Sequence, residues 1–356
     1  MKVLLISNMY PSDDYPAFGV FVKNFEKKLF ERGFVFEKVV IRGKSQSLRK
    51  KVVNYLSFIL NARKALMNNE HYDLIYVHYM GHSLLPFLFL KRKDNLIINA
   101  HGTDVFPVSI VGKLIQKIIT PIIKKATLLV VPSAYFKSVL HEKFKIDKRL
   151  IYVSPSGGVD LKLFKDLSTP DDIKYSIGYV SRIDEGKGWN VLLKAIKKIQ
   201  DRNVRIISLI IGSGNQEELL REMIDNLQLS GYVHYIGGVS HEELSHFYNK
   251  IRLFVFPSEK NESLGLVGLE AMACGVPVVG SSIGGIKGYV KPGFNGELFT
   301  PGDYNELADN IEKFISMSEK IYLQYKNNAL NTAMQYDAEK VADDLAKRLV
   351  KLVRNK

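Results

Sequence analysis

The stretch Leu253-Phe-Val-Phe256-Pro257-Ser-Glu-Lys-Asn-Glu262-Ser-Leu-Gly265-Leu-Val-Gly-Leu-Glu270-Ala-Met-Ala-Cys274-Gly-Val-Pro277-Val-Val-Gly280 decides how this chain folds. Its first four residues are an unbroken apolar run, the pattern of a strand covered on both faces in a parallel sheet. A Gly-containing loop follows, then a helical stretch, then a second apolar run at 276–280. That order sets the loop at a strand's carboxyl end, where open α/β sheets bind ligands. Glu262 and Glu270 stand eight apart across it. The N–H groups of Leu264, Gly265 and Leu266 are expected to face an anion, with Ser263 capping the helix. Glu270 can turn back and accept hydrogen bonds from vicinal hydroxyls such as those of a ribose. Any single Glu is more often a solvated surface residue; the surrounding pattern favours a phosphate cradle beside a hydroxyl acceptor.

Outward from this stretch the alternation of strand and helix runs along the whole chain. Apolar runs at 3–7, 35–41, 74–78, 96–100, 128–131 and 151–153 predict a first set of strands. Runs at 177–180, 206–211, 233–236, 253–256 and 276–280 predict a second. Strands separated by helical patterns argue for two parallel, doubly wound sheets. The 356 residues suit two domains. The boundary falls near 154–172, rich in Ser, Gly, Pro and Asp, which gives domains 1–165 and 166–337. Residues 338–353 read as an amphipathic helix, apolar at Val341, Leu345, Leu349 and Leu352.

Composition narrows the class. With 46% hydrophobic and 24% charged residues the chain is globular. One cysteine, Cys274, permits no intrachain disulfide and suits a reducing compartment. The opening Met1-Lys-Val-Leu-Leu-Ile-Ser reads as a first strand rather than a signal peptide. The apolar stretch at 84–90 is far short of the roughly 20 residues that span a bilayer. The net charge of +13 is unevenly spread. Residues 1–170 hold 27 Lys+Arg against 13 Asp+Glu, and residues 171–356 hold 23 against 24. The whole excess lies in the first half, which should attract an anionic leaflet, a lipid-linked phosphate, an acidic glycan or nucleic acid. Basic positions punctuate apolar segments at Lys113, Lys117, Lys124 and Lys125, at Lys50, Lys51, Arg63 and Lys64, and at Lys91-Arg-Lys93. Peripheral contact with an anionic membrane is therefore expected.

Several loops carry candidate chemistry. Ser181-Arg182-Ile-Asp-Glu-Gly186-Lys187-Gly188 follows a strand, so Arg182 and Lys187 can converge on one diphosphate, the first as a planar fork and the second as a compact charge. Gly212-Ser-Gly214 follows another strand but does not complete G-x-G-x-x-G, which argues against a nicotinamide site. His101-Gly-Thr-Asp104 ends the run at 96–100, and His78 ends the run at 74–78. Asp104 has a second reading as a cap of the next helix, and His78 as a satisfied core histidine. Gly19 opens a helix after Tyr10-Pro11. No His, Cys or carboxylate cluster has metal-ligand spacing.

Together these segments resemble the GT-B glycosyltransferases, specifically the retaining family 4 type with its E-x7-E motif, matched by Glu262 and Glu270. The resemblance covers the whole chain and is strongest in its second half. It implies an α/β fold of two Rossmann-like, doubly wound domains facing across a cleft, with a terminal helix at about 338–356 packing back on the first. Residues 1–165 would bind the acceptor and residues 166–337 the donor. Arg182 and Lys187 match the family's Gly-Arg and Lys-Gly element, with Ser181 where the family has Gly. They would stabilise the departing diphosphate, helped by Ser263 and the amides of Leu264, Gly265 and Leu266. Glu270 would hold the ribose, while Glu262 and His101 would face the sugar. Gly19 and Gly212 match two glycine loops, the first nearing the donor phosphate and the second the base. The implied activity is a metal-independent, hexosyltransferase-type transfer from a UDP- or GDP-sugar. No Asp-x-Asp is present to hold a metal as GT-A enzymes do. Cell-surface polysaccharide or glycolipid assembly at the cytoplasmic membrane face would fit, with a lipid-linked or anionic glycan acceptor. The rivals are a basic membrane- or nucleic-acid-binding protein without activity, for which no nucleic-acid reading motif is visible, and another GT-B enzyme such as an epimerase or phosphorylase.

Overall fold

The computed structural model describes residues 1–45, 47–68, 72–90 and 95–354. It divides into two compact units, Met1–Gly158 with Glu339–Lys356, and Val159–Ala338.

The first unit runs β1 (Lys2–Tyr10), α1 (Val20–Phe30), β2 (Val35–Arg42), α2 (Leu48–Met67), β3 (Leu74–His78), β4 (Leu96–Asn99), α3 (Ile110–Ile123), β5 (Leu128–Val131), α4 (Ala134–Phe144) and β6 (Ile151–Val153). A 3-10 turn, His82–Phe87, follows β3. The six strands are parallel in the order β2-β1-β3-β4-β5-β6. Every residue of β3 and β5 is buried, as unbroken apolar runs require when helices cover both faces. Alternate residues serve opposite faces. Leu4, Ile6, Ile75, Val77 and Ile98 pack against α2, α3 and α4. Val3, Leu5, Leu74, Tyr76 and Ile97 pack against α1 and the terminal helix.

The second unit runs β7 (Tyr175–Val180), α5 (Trp189–Asp201), β8 (Ser208–Ile211), α6 (Glu217–Asn226), β9 (Val233–Tyr235), α7 (Leu244–Tyr248), β10 (Ile251–Phe256), α8 (Leu266–Ala273), β11 (Val278–Ser281), α9 (Ile286–Tyr289), β12 (Gly296–Phe299), α10 (Tyr304–Ile315) and α11 (Glu319–Met334). Its parallel sheet has the order β12-β11-β10-β7-β8-β9. Strand β12 escapes the sequence pattern because it is a four-residue edge strand with Glu297 inside it. That carboxylate is tolerated in a buried position because Lys313 Nζ at 2.5 Å, Tyr325 OH at 3.2 Å and Gly293 N–H at 3.3 Å donate to it.

The units divide at 158/159 rather than 165/166. Val159 N–H donates to Tyr336 O at 2.7 Å, and Phe164 is buried beside Ala329 and Ala333, so 159–166 belong to the second core. Both sheets reverse strand order next to their first strand, β1 beside β3 and β7 beside β10. Such switch points leave a crevice at the strands' carboxyl ends.

The terminal helix α12 (Ala338–Arg354) lies on the first unit. Leu345, Ala346 and Leu349 enter the core with Val3 and Leu5, and Arg32 pairs with Glu339 at 2.9 Å and Asp343 at 2.6 Å. Asp343 is half exposed, so its pair contributes at most about 1 kcal/mol. Leu349 is fully buried, and truncating such a leucine costs about 2–5 kcal/mol. Leu349→Ala is thus expected to lower the urea midpoint of this unit far more than Asp343→Asn; equal effects would show that charge holds the helix.

Candidate functional site

The loops after β7, β8 and β10 meet at the second switch point, and their backbones touch. Gly188, with φ 74°, lies so close to Pro257 that an added Cβ would stand 1.8 Å from its carbonyl oxygen. At Gly212, φ 145°, an added Cβ would stand 1.7 Å from Ser181 O. Glycine is the residue that permits both approaches. Hydrogen bonds then lock the loops together. Ile183 N–H donates to Ser213 O at 3.1 Å, Gln216 N–H to Ile183 O at 2.9 Å, and Glu259 N–H to Gly186 O at 2.9 Å. Asn215 N–H reaches Asp184 Oδ1 at 3.0 Å. So Gly212-Ser-Gly214 serves as a clamp on the loop that carries Arg182 and Lys187.

Within this frame Lys187 Nζ donates to Glu262 Oε1 at 2.7 Å, with both side chains mostly covered. The buried Ser258 hydroxyl donates to the same oxygen at 2.8 Å. Arg182 is turned outward, about three-quarters exposed, and pairs with Asp184 at 2.7 Å. Lys187 and Glu262 are therefore brought together directly, whereas Arg182 stands apart with a partner of its own.

Helix α8 begins at Leu266, and its N-cap is Gly265 (φ 87°) with no side-chain cap bond. This corrects the expectation that Ser263 caps the helix: the left-handed glycine turns the chain into α8 one residue before Leu266. Gly265 O accepts from Tyr289 OH at 2.9 Å, and Glu262 O accepts from Gly285 N–H at 2.8 Å. The Gly284-Gly285 turn thus braces the loop from the other side. Glu270 is buried on α8. His241 Nε2 donates to its Oε1 at 3.0 Å, and Tyr248 OH to its Oε2 at 3.4 Å. The hydrogen bond to Glu270 raises the His241 pKa above 6.5. Sequence reading assigned no role to His241, Tyr248, Ser258 or Gly285. Ser258 and Gly285 flank the paired glutamates, whereas His241 sits in a Ser240–Glu243 capping box whose sequence signals only a helix start.

In the first unit Gly19 is the N-cap of α1, in the left-handed region. Two residues on, the Phe21 ring lies 4.5 Å from the His101 ring, centroid to centroid. Asp104 is buried, and its carboxylate accepts from the N–H groups of His101 (3.0 Å), Gly102 (2.7 Å), Met80 (2.8 Å) and Val105 (3.1 Å). It ties the end of β3 to the end of β4 and does not cap α3, whose N-cap is Ser109. His78 is buried with Nδ1 3.0 Å from His101 Nε2, the two rings stacked at 5.2 Å. His78 Nε2 has no partner among the described residues. Burying an unpaired N–H is costly, so the favoured tautomer has His78 Nδ1–H donating to His101 Nε2. Burial lowers both histidine pKa values, with Asp104 partly opposing it at His101. Among the described residues no group of three His, Cys, Asp or Glu side chains could hold a metal ion.

These shifts have opposite signs in stability. A neutral buried His78 favours the fold fully above 6.5, and this is lost as pH falls towards its depressed value. His241, raised by Glu270, favours the fold fully below 6.5, and this is lost as pH rises through its raised value. In thermal melts the wild type should lose more stability than His78→Phe on acidification. The advantage of wild type over His241→Gln should shrink on the alkaline side. The reverse slopes would contradict these protonation states.

The profile described as "Glycosyltransferase Family 4" matches residues 18–162, and that described as "Glycosyl transferases group 1" matches residues 162–332. An uncharacterized glycosyltransferase of Methanocaldococcus jannaschii is 28% identical over 337 residues, covering 90% of each chain. Among solved structures, sucrose-phosphate synthase from Thermosynechococcus elongatus superposes with a TM-score of 0.80 at 20% identity, covering all of both chains. Anabaena HepE in complex with UDP-glucose gives 0.77 at 21%, covering 99% of this chain and 100% of that one. At such identities the likeness of the structures is one of fold. The two family profiles run end to end through both switch-point sites, and the chain belongs to the family 4-like glycosyltransferases of group 1, with the GT-B fold.

Proposed function

We propose that this glycosyltransferase moves a hexose from a UDP- or GDP-sugar, with retention of anomeric configuration, to a lipid-linked or anionic glycan in cell-surface polysaccharide or glycolipid assembly. The observation that carries the reading is the grouping at the β7/β10 switch point. Lys187 on Glu262 and the 264–266 backbone belong to loops and the start of α8 at the strands' carboxyl ends, and the buried Glu270 follows about one turn along α8. A nucleoside diphosphate presents the matching groups, a dianionic bridge and a ribose diol. That HepE was solved with UDP-glucose supports the donor class.

In this reading the diphosphate draws Lys187 from Glu262, and Arg182 swings from Asp184 to join it. The freed Glu262 carboxylate then accepts hydrogen bonds from the sugar, and His101 is assigned to the same sugar. Glu270 exchanges its bond from His241 for the ribose hydroxyls, while Gly212 and Gly19 let backbone approach the nucleotide. As the bond from C1 to the leaving phosphate oxygen breaks, the acceptor oxygen bonds C1 on the same face. Its proton passes to that phosphate oxygen, so no protein nucleophile is needed. Negative charge grows on the diphosphate, where the gathered cations and helix amides stabilise it most. Metal independence follows as part of the proposal, since these groups do the work a cation would do. The basic first half of the chain supports an anionic acceptor.

Thermal shift in excess EDTA tests the donor site, with UDP, GDP, ADP, dTDP, their sugars and NAD as ligands. One nucleoside diphosphate should stabilise the wild type, by about 2.7 kcal/mol at a concentration a hundred times its Kd. Arg182→Ala and Glu270→Ala should abolish that shift, and Arg182→Ala should lower kcat/KM by about 10²–10³. Stabilisation by NAD alone, or by nothing, would overturn the reading. Proton NMR of the first-formed product should show the donor's anomeric configuration; inversion would overturn the same-face step.

A further inference from the structure

Helices α2 and α3 each bury one side in a shared core. Phe58, Ala62 and Leu66 of α2, and Ile119 and Ile123 of α3, join one cluster on one face of the first sheet. Both also pack on the 3-10 turn between them. Their opposite sides therefore face the same way, out from the sheet, and those sides are apolar too. On α2, Val53, Leu56 and Leu60, at spacings of three and four, are 62%, 56% and 67% exposed. On α3, Val111, Leu114 and Ile118 repeat that spacing at 63%, 58% and 44%. A helix covered on one side normally carries polar residues on the other. Here two neighbouring helices break that rule in register.

The charges on the same two helices specify what covers them. Neither α2 (LRKKVVNYLSFILNARKALM) nor α3 (IVGKLIQKIITPII) contains a single Asp or Glu. Exposed Arg49, Lys50 and Lys64 border the first stripe, and exposed Lys113, Lys117 and Lys124 border the second. The third basic cluster expected from sequence, Lys91-Arg-Lys93, lies outside the described residues. No helix among the described residues is long and apolar enough to cross a membrane. Protein interfaces are depleted in lysine, and a two-fold pairing of this face with itself would oppose like charges. A bilayer surface takes both features together: apolar side chains enter the acyl boundary while lysines reach up to lipid phosphates.

We propose that the α2–α3 face is a docking surface for an anionic lipid bilayer, on which the enzyme lies without spanning it. The surface belongs to the first unit and the donor-site residues Lys187, Glu262 and Glu270 to the second, so docking requires no nucleotide sugar. Vesicle sedimentation of the full chain tests it, comparing phosphatidylcholine vesicles with phosphatidylcholine–phosphatidylglycerol vesicles. The wild type should pellet with the anionic vesicles and stay in solution with the neutral ones. Lys113→Glu with Lys117→Glu should weaken partitioning by at least about 25-fold, roughly five-fold for each lysine charge lost. Leu114→Gln with Ile118→Gln should leave only a weak attraction that salt abolishes, and Leu56→Gln with Leu60→Gln should do the same. All six positions are exposed, so circular dichroism melts should match the wild type, and UDP or GDP binding should be unchanged. Equal pelleting with neutral vesicles, or none with either, would overturn the proposal. So would variants that pellet like the wild type. Light scattering that shows a dimer dissolved by the glutamine variants, without lipid binding, would assign the face to a second copy instead.

Discussion

Three backbone loops lie in contact at one end of the second sheet, closer than any side chain would allow, and the chemistry of that unit depends on this approach. The contact is possible only because Gly188 and Gly212 bring no Cβ to Pro257 O and Ser181 O. Its effect is to fix where two charges end up. Lys187, on the loop after β7, and Glu262, on the loop after β10, belong to different segments of chain yet meet at 2.7 Å. A largely covered ion pair repays its desolvation only when its geometry is good and further hydrogen bonds are made. Ser258 supplies one on the Glu262 side. The cation is thereby held, partnered and mostly out of water. Exchanging one anionic partner for another costs far less than creating a bare ammonium there. In the proposed function a diphosphate displaces Glu262 and leaves both groups occupied, the lysine on phosphate and the carboxylate on sugar hydroxyls.

The first unit solves a similar problem by other means. Its switch point falls between β1 and β3, and the loop after β4 is tied across to β3 by the carboxylate of Asp104. Four N–H groups gathered on one buried acid make a rigid corner where a loop would otherwise be mobile. His101 leaves that corner with its Nε2 held by His78 and one face against Phe21. Phe21 sits in the first turn of α1 because Gly19 starts the helix. Gly19, His78, His101 and Asp104 therefore form one assembly, in which only His101 is left partly accessible.

Much of this was legible in the sequence because parallel sheets write themselves as apolar runs. β3, β5 and β6 match their runs residue for residue, and the paired glutamates fall on a loop and within the helix that follows it. What could not be read were the features that depend on contacts between distant segments. β12 hides because a buried Glu297 interrupts its apolar pattern and is tolerated through Lys313, Tyr325 and the Gly293 N–H. At the start of α8, Ser263 has the ordinary capping chemistry, whereas the chain turns at a left-handed Gly265, which local sequence does not distinguish. His241 is 29 residues from the Glu270 it bonds, and no local spacing links them. Nor does periodicity alone reveal that both sides of α2 and α3 are apolar with one side uncovered, since that reading needs the core on the other side to be known.

The proposed donor site requires that a nucleoside diphosphate take over the Lys187–Glu262 pair. The most direct measurement is a crystal structure of the full chain with UDP or GDP, whichever gives the larger thermal shift, grown in excess EDTA. The proposed site places Lys187 Nζ on a phosphate oxygen and parted from Glu262, the 264–266 amides facing the diphosphate, and the ribose hydroxyls on Glu270 with His241 displaced. A nucleotide bound elsewhere, or one bound with the Lys187–Glu262 pair intact and Glu270 still on His241, would contradict it.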